Sequence, residues 1–168
     1  MWSDVIYYVF SVLAVVLFVG SIQFKKKKDI LLAQSFSSLC YVITYGMVGA
    51  YSGALTEFIE QIKSILFYHY EKRNKKIPLL LLIVFVLSLI LIAVFTYNGF
   101  YTLIPLIINL AYFYSSYLKN PKYIRLIVLI CGFIWIYYNI TVHAYIFIIG
   151  NIFEIISGCI ALIRYRKK

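Results

Sequence analysis

Glu57, Glu60 and Ser64 recur at helical spacing in one apolar stretch of the chain, and Asn151, Glu154, Ser157 and Gly158 do the same near its end. Each set makes one polar or small-residue face of a helix. A carboxylate at bilayer depth costs about 2.5–3.5 kcal/mol on insertion scales unless it is paired or faces water. Groups of this kind suit three tasks: binding a small polar solute, coupling its movement to protons, or holding helices together. Glu60 stands three residues before Lys63, so pairing along one helix face is the structural alternative. Packing alone also favours small and polar residues where helices meet. As an acid/base pair, Glu60 and Glu154 lack a nucleophile or metal. The sequence has no nucleophile elbow, phosphate-cradling glycine loop, H-E-x-x-H or paired aspartates. It therefore predicts no enzyme, no metal site and no cofactor.

The elements that position these residues belong to a membrane. Of the 168 residues, 64% are hydrophobic and 13% charged, and mean hydropathy is +0.92, far from the soluble balance of about half apolar and a quarter charged. A soluble fold of this size has no interior able to hide so much apolar side chain. Charge-free runs at 5–24, 30–56, 77–118 and 126–153 each reach or exceed the roughly 20 residues of a spanning helix. The longest must fold back on themselves. Nothing basic precedes the first run, so it lacks the n-region of a cleavable signal and is expected to remain as a helix. The net charge of +10 sits in short clusters between apolar runs, where it orients the chain in a membrane rather than binding nucleic acid. Cys40, Cys131 and Cys159 lie within apolar runs without metal-ligand spacing and are expected to be reduced, packed thiols.

Taken in order, the patterns predict an all-α integral membrane fold of seven helices at about 4–23, 30–49, 54–70, 77–97, 100–118, 123–142 and 146–163. Basic clusters at Lys25–Lys28, Lys72–Lys76, Lys119–Lys122 and Arg164–Lys168 alternate with uncharged turns at Gly49–Gly53, Asn98–Gly99 and His143–Tyr145. This places the amino terminus outside and the carboxyl terminus in the cytoplasm, with every basic residue except Lys63 at or near a cytoplasmic end. A shift of 94 positions superposes Lys25, Lys28, Ala50, Tyr51 and Glu60 on Lys119, Lys122, Ala144, Tyr145 and Glu154. Three helices cross an odd number of times, so a three-helix unit repeats in the same orientation only if one helix intervenes. The expected organisation is 3+1+3: a first repeat at 1–76, a linker helix at 77–98 and a second repeat at 99–168. It is similar to that of SWEET transporters, whose repeats are related by an axis along the membrane normal.

The repeat brings candidate residues to one depth. Trp135 lies eight residues before His143 and Asn151 eight after it, each roughly 12 Å from the turn at the helical rise. Tyr41 and Glu57 flank Gly49 in the same way. Tyr41, Glu57, Glu60, Trp135, Asn151 and Glu154 are the expected solute-binding residues, an aromatic wall with polar anchors. Arg125, one turn into its helix, is expected to snorkel to the cytoplasmic surface. His69 and His143 stand near helix ends, where interfacial solvation accounts for them.

The segment Trp135-Ile136-Tyr137-Tyr138-Asn139, followed by Glu154 and Ile163-Arg164, resembles the bacterial inner-membrane YgjV family, as do Tyr41 through Tyr45, the Gly49-Ala50-Tyr51 turn and the polar third helix. The resemblance covers nearly the whole chain and implies a bacterial inner-membrane location; Asn139, in that segment, joins the candidate solute-binding residues. More distantly, the organisation is similar to SWEET, PQ-loop and PnuC transporters. In SWEETs a sixth-helix Trp and an Asn on helices 3 and 7 line the sugar pocket; Trp135 and Asn151 match two of these. Glu57 stands where the third would be, which argues against a neutral sugar. Of the bending prolines of SWEETs only Pro105 has a counterpart here, and no Pro-Gln pair occurs. The implied partners are the lipid bilayer and a small polar solute moved by alternating access. The competing expectation is a non-transporting scaffold or complex subunit.

Overall fold

The structure is a computed structural model that describes residues 2–118 and 120–165, with side chains from residue 4 onward. The basic positions Lys119, Arg166, Lys167 and Lys168 lie outside the described residues. Those described form seven α-helices and no strand: α1 (Trp2–Ile22), α2 (Lys27–Met47), α3 (Tyr51–Lys72), α4 (Leu79–Phe95), α5 (Ile104–Tyr117), α6 (Pro121–Thr141) and α7 (Tyr145–Arg164). A 3-10 turn at Phe100–Leu103 leads into α5. α1 from Asp4, α2, α6 and α7 are long and apolar enough to cross a membrane. α3 has the length, at 22 residues, but its carboxylates and Lys63 dilute its hydropathy. α5 is shorter than the expected span because Pro105 sits in its first turn, where the missing N–H does no harm, and the residues before it wind as 3-10.

Helix boundaries follow local chemistry. α6 starts at Pro121 with the Asn120 side chain accepting from the Lys122 N–H at 2.9 Å. The α2/α3 and α6/α7 turns share one backbone. Gly49 has φ 71° and His143 φ 58°, and the following alanines, Ala50 and Ala144, donate to Tyr45 O and Asn139 O at 2.9 Å in each case. These are αL-type helix endings. Glycine meets the left-handed requirement freely at the first turn; at the second His143 takes it, with its Nδ1 2.7 Å from the Tyr145 hydroxyl. α2 and α6 are each 21 residues long and both begin and end 94 positions apart.

The helices are neighbours in a closed cycle, α1–α2–α3–α5–α6–α7 and back to α1, with α4 outside against α3 and α5. Phe85 of α4 meets Phe67 and Phe113 at ring-centroid distances of 6.2 Å, which fixes α4 to the cycle. Side chains are sorted in the reverse of a soluble protein. Phe95, Leu80, Phe133 and Ile149 face outward, while Gln34, Thr44, Glu57, Glu60, Lys63, Asn139, Asn151 and Glu154 are buried. An apolar exterior costs nothing against lipid, and the polar groups find partners only in one another. Cys40 and Cys131 are buried free thiols, whereas Cys159 faces outward.

Arg125 departs from expectation. It is buried rather than snorkelling, and it donates to the carbonyls of Ile22 at 3.1 Å and Phe24 at 2.7 Å, with the Tyr165 ring 4.4 Å from its guanidinium carbon. The carbonyls at the end of α1 have no helical partner, so the guanidinium satisfies them and ties α6 to α1. Gln23 closes the same end by donating to Ser157 Oγ of α7 at 2.7 Å.

Candidate functional site

Buried polar side chains converge inside the cycle from α2, α3, α6 and α7. The Tyr45 hydroxyl donates to Asn139 Oδ1 at 2.8 Å, Asn139 Nδ2 to Asn151 Oδ1 at 2.9 Å, and Asn151 Nδ2 to Glu154 Oε2 at 3.0 Å. Tyr41 donates to the other oxygen, Glu154 Oε1, at 3.3 Å. The chain of donors is directional and ends on the carboxylate. Tyr41 and Tyr45 are one turn apart on α2, as are Trp135 and Asn139 on α6, so each helix points two side chains at the centre.

A cavity of about 20 Å³ lies against this network, bordered by Tyr41, Tyr45, Glu57, Trp135, Asn139, Asn151 and Glu154 together with Phe18, Tyr112 and Phe147. That is room for about one water. A second, of about 10 Å³, is bordered by Gln34, Ser38, Glu57, Glu60, Ser115 and Ser116. Phe18, Glu57 and Tyr112 border both. Ser38 of α2 lies beside Glu57 at this second cavity.

Six of the seven residues expected from sequence, Tyr41, Glu57, Trp135, Asn139, Asn151 and Glu154, therefore meet at one cavity. Glu60 does not. It borders the second cavity and forms an ion pair with Lys63 at 2.5 Å, the structural alternative to a solute-binding role. Ser64 donates to the same Glu60 oxygen at 3.3 Å, and Lys63 to Ser116 of α5 at 3.2 Å. His69 and His143 are exposed, away from the centre.

Four aromatic residues of the site were not anticipated: Phe18, Tyr45, Tyr112 and Phe147. Tyr45 stacks between Tyr41 at 5.9 Å and Trp135 at 6.1 Å, with interplanar angles of 21° and 18°. Its signal was its place one turn after Tyr41. Phe18 and Tyr112, 6.3 Å apart, carry no such local sign; only the shift of 94 relates them. Among the described residues no cluster of His, Cys, Asp or Glu is arranged to hold a metal ion.

A family model described as bacterial inner membrane protein, Imp-YgjV, matches residues 5–168. No curated protein and no solved structure matches the chain. With nearly every residue covered and an apolar-outside, polar-inside helical architecture to go with it, the chain belongs to the Imp-YgjV family and is a multi-pass protein of the bacterial inner membrane.

Proposed function

We propose that the protein is a small-solute permease, not an enzyme, in which two three-helix units, 1–76 and 99–168, joined by a linker helix at 77–98, rock about a mid-membrane site. The observation that carries this is the convergence of Glu57, Asn139, Asn151 and Glu154 with Tyr41 and Trp135 on one buried cavity. Carboxylates and carboxamides at that depth are costly, and binding a polar solute gives them a use.

The neighbour relations support the two-unit reading. A shift of 94 turns the α1–α2, α2–α3 and α3–α5 contacts into α5–α6, α6–α7 and α7–α1. Two pairs of equivalent residues touch each other, Tyr45 with Asn139 and Phe18 with Tyr112, and a residue meets its own equivalent only on or near a two-fold axis. In this reading the axis runs along the membrane normal, the amino terminus is outside and the carboxyl terminus cytoplasmic, an orientation that the basic clusters favour.

The cavities are small, about 20 and 10 Å³, which in this reading is a state with little room for solute. They also favour a second reading, a non-transporting scaffold, whose centre stays filled. Reconstituted vesicles separate the two. Uptake from a panel of sugars, vitamins, nucleosides and small amines, above that of empty vesicles and reduced about tenfold or more in Asn151→Ala and Glu154→Gln, is expected of the permease. No uptake of any member by folded protein would favour the scaffold.

A further inference from the structure

We propose that the mid-membrane cavity binds a small ammonium-type cation, an ammonium ion or the head of a primary amine, between Glu57 and Glu154. This rests on the permease reading and names the class of its solute.

Charge comes first. Among the described residues Glu60 is paired with Lys63, whereas neither Glu57 nor Glu154 forms an ion pair with a basic side chain. Both border the same cavity. Two buried carboxyl groups with no ion pair among the described residues can give up their protons as a cation enters between them.

The walls state what kind of cation. Tyr41, Tyr45 and Trp135 form a near-parallel stack that borders the cavity, and Phe147 closes on Tyr41 at 4.9 Å. Aromatic rings draw cations through the ring quadrupole wherever a face is free, and ammonium groups are the cations that such surroundings suit. A hard metal cation takes a shell of oxygens instead, and most of this wall is carbon. Volume agrees: about 20 Å³ admits a group the size of water and leaves no room for a sugar ring.

An independent sign is the Tyr112 hydroxyl. Tyr112 is 7% exposed and borders both cavities; its hydroxyl lies beside Trp135 but makes no hydrogen bond of ordinary geometry. A buried hydroxyl without a partner is costly. An ammonium group has N–H donors for both carboxylates and for this oxygen, and would satisfy all three.

Methylammonium chloride is the probe, titrated into the purified full chain in detergent at constant ionic strength against sodium chloride. Trp135 borders the cavity, so its fluorescence, read in a Trp2→Phe background, reports occupancy. Saturable change with methylammonium and none with sodium is expected, with about tenfold or more weaker binding in Glu154→Gln and unchanged binding in the distant Lys122→Gln. Thermal unfolding with and without methylammonium gives a second readout on the wild type. No saturable change and no stabilisation of the wild type beyond that in sodium overturns the inference. Vesicles separate its failure from that of the permease reading. Methylammonium binding without uptake of any solute leaves the cation site standing and ends the permease reading. Uptake of a neutral solute, without methylammonium binding, does the reverse.

Discussion

The Tyr45 hydroxyl donates to Asn139 Oδ1 at 2.8 Å across the centre of the bundle, between residues 94 positions apart. Asn139 in turn donates to Asn151, so this bond orients the carboxamide that begins the relay to Glu154. Tyr45→Phe leaves Asn139 Oδ1 without its donor in a buried site. The expected cost is about 1–3 kcal/mol, read from thermal unfolding in detergent. A double-mutant cycle with Asn139→Leu should show coupling of about 0.5 kcal/mol or more; strict additivity would mean that the bond contributes nothing.

Lys63 and Glu60 test the pair that the second cavity adjoins. Lys63→Met leaves Glu60 buried with Ser64 and no counter-charge, and should destabilise by about 3–5 kcal/mol. Adding Glu60→Gln removes the stranded charge and should recover a large part of the loss. A double variant as unstable as the single one would show that Lys63 acts by packing, including its approach to the Phe67 ring at 5.9 Å.

Close helix contacts make a third comparison. A Cβ on Gly150 would sit 2.5 Å from Val15 Cγ2, at the α1/α7 contact, whereas one on Gly46 meets nothing within 4 Å. Gly150→Ala should cost about 1–3 kcal/mol through overpacking. Gly46→Ala lies inside α2 with ordinary helical backbone and should be neutral or stabilising by up to about 1 kcal/mol. Equal melting temperatures for the two variants would contradict the packing at α7.

Orientation is decided by labelling. In a cysteine-free background, Asn98→Cys should react with a membrane-impermeant maleimide added to spheroplasts with intact inner membranes, and Lys75→Cys should react only after that membrane is opened. The reversed pattern would invert the proposed topology.

Sequence alone determined the membrane environment, the helix count and the centres of most helices, because these follow from local hydropathy, from basic clusters and from turns such as Gly49 and Asn98-Gly99. It also singled out polar and aromatic positions within apolar runs, and six of the seven chosen share one cavity. Helical periodicity and distance from a turn were sufficient for Tyr41, Glu57, Trp135 and Asn151, since depth is a one-dimensional quantity. Partner choice is not one-dimensional. Only the tertiary structure decided that Glu57 and Glu154 meet at one cavity, that Lys63 also reaches Ser116 of α5, that Arg125 turns inward to the α1 carbonyls, and that Tyr45, Phe18 and Tyr112 complete the site. Each depends on which helix stands opposite which, and that is set by side chains packing between segments far apart in the chain.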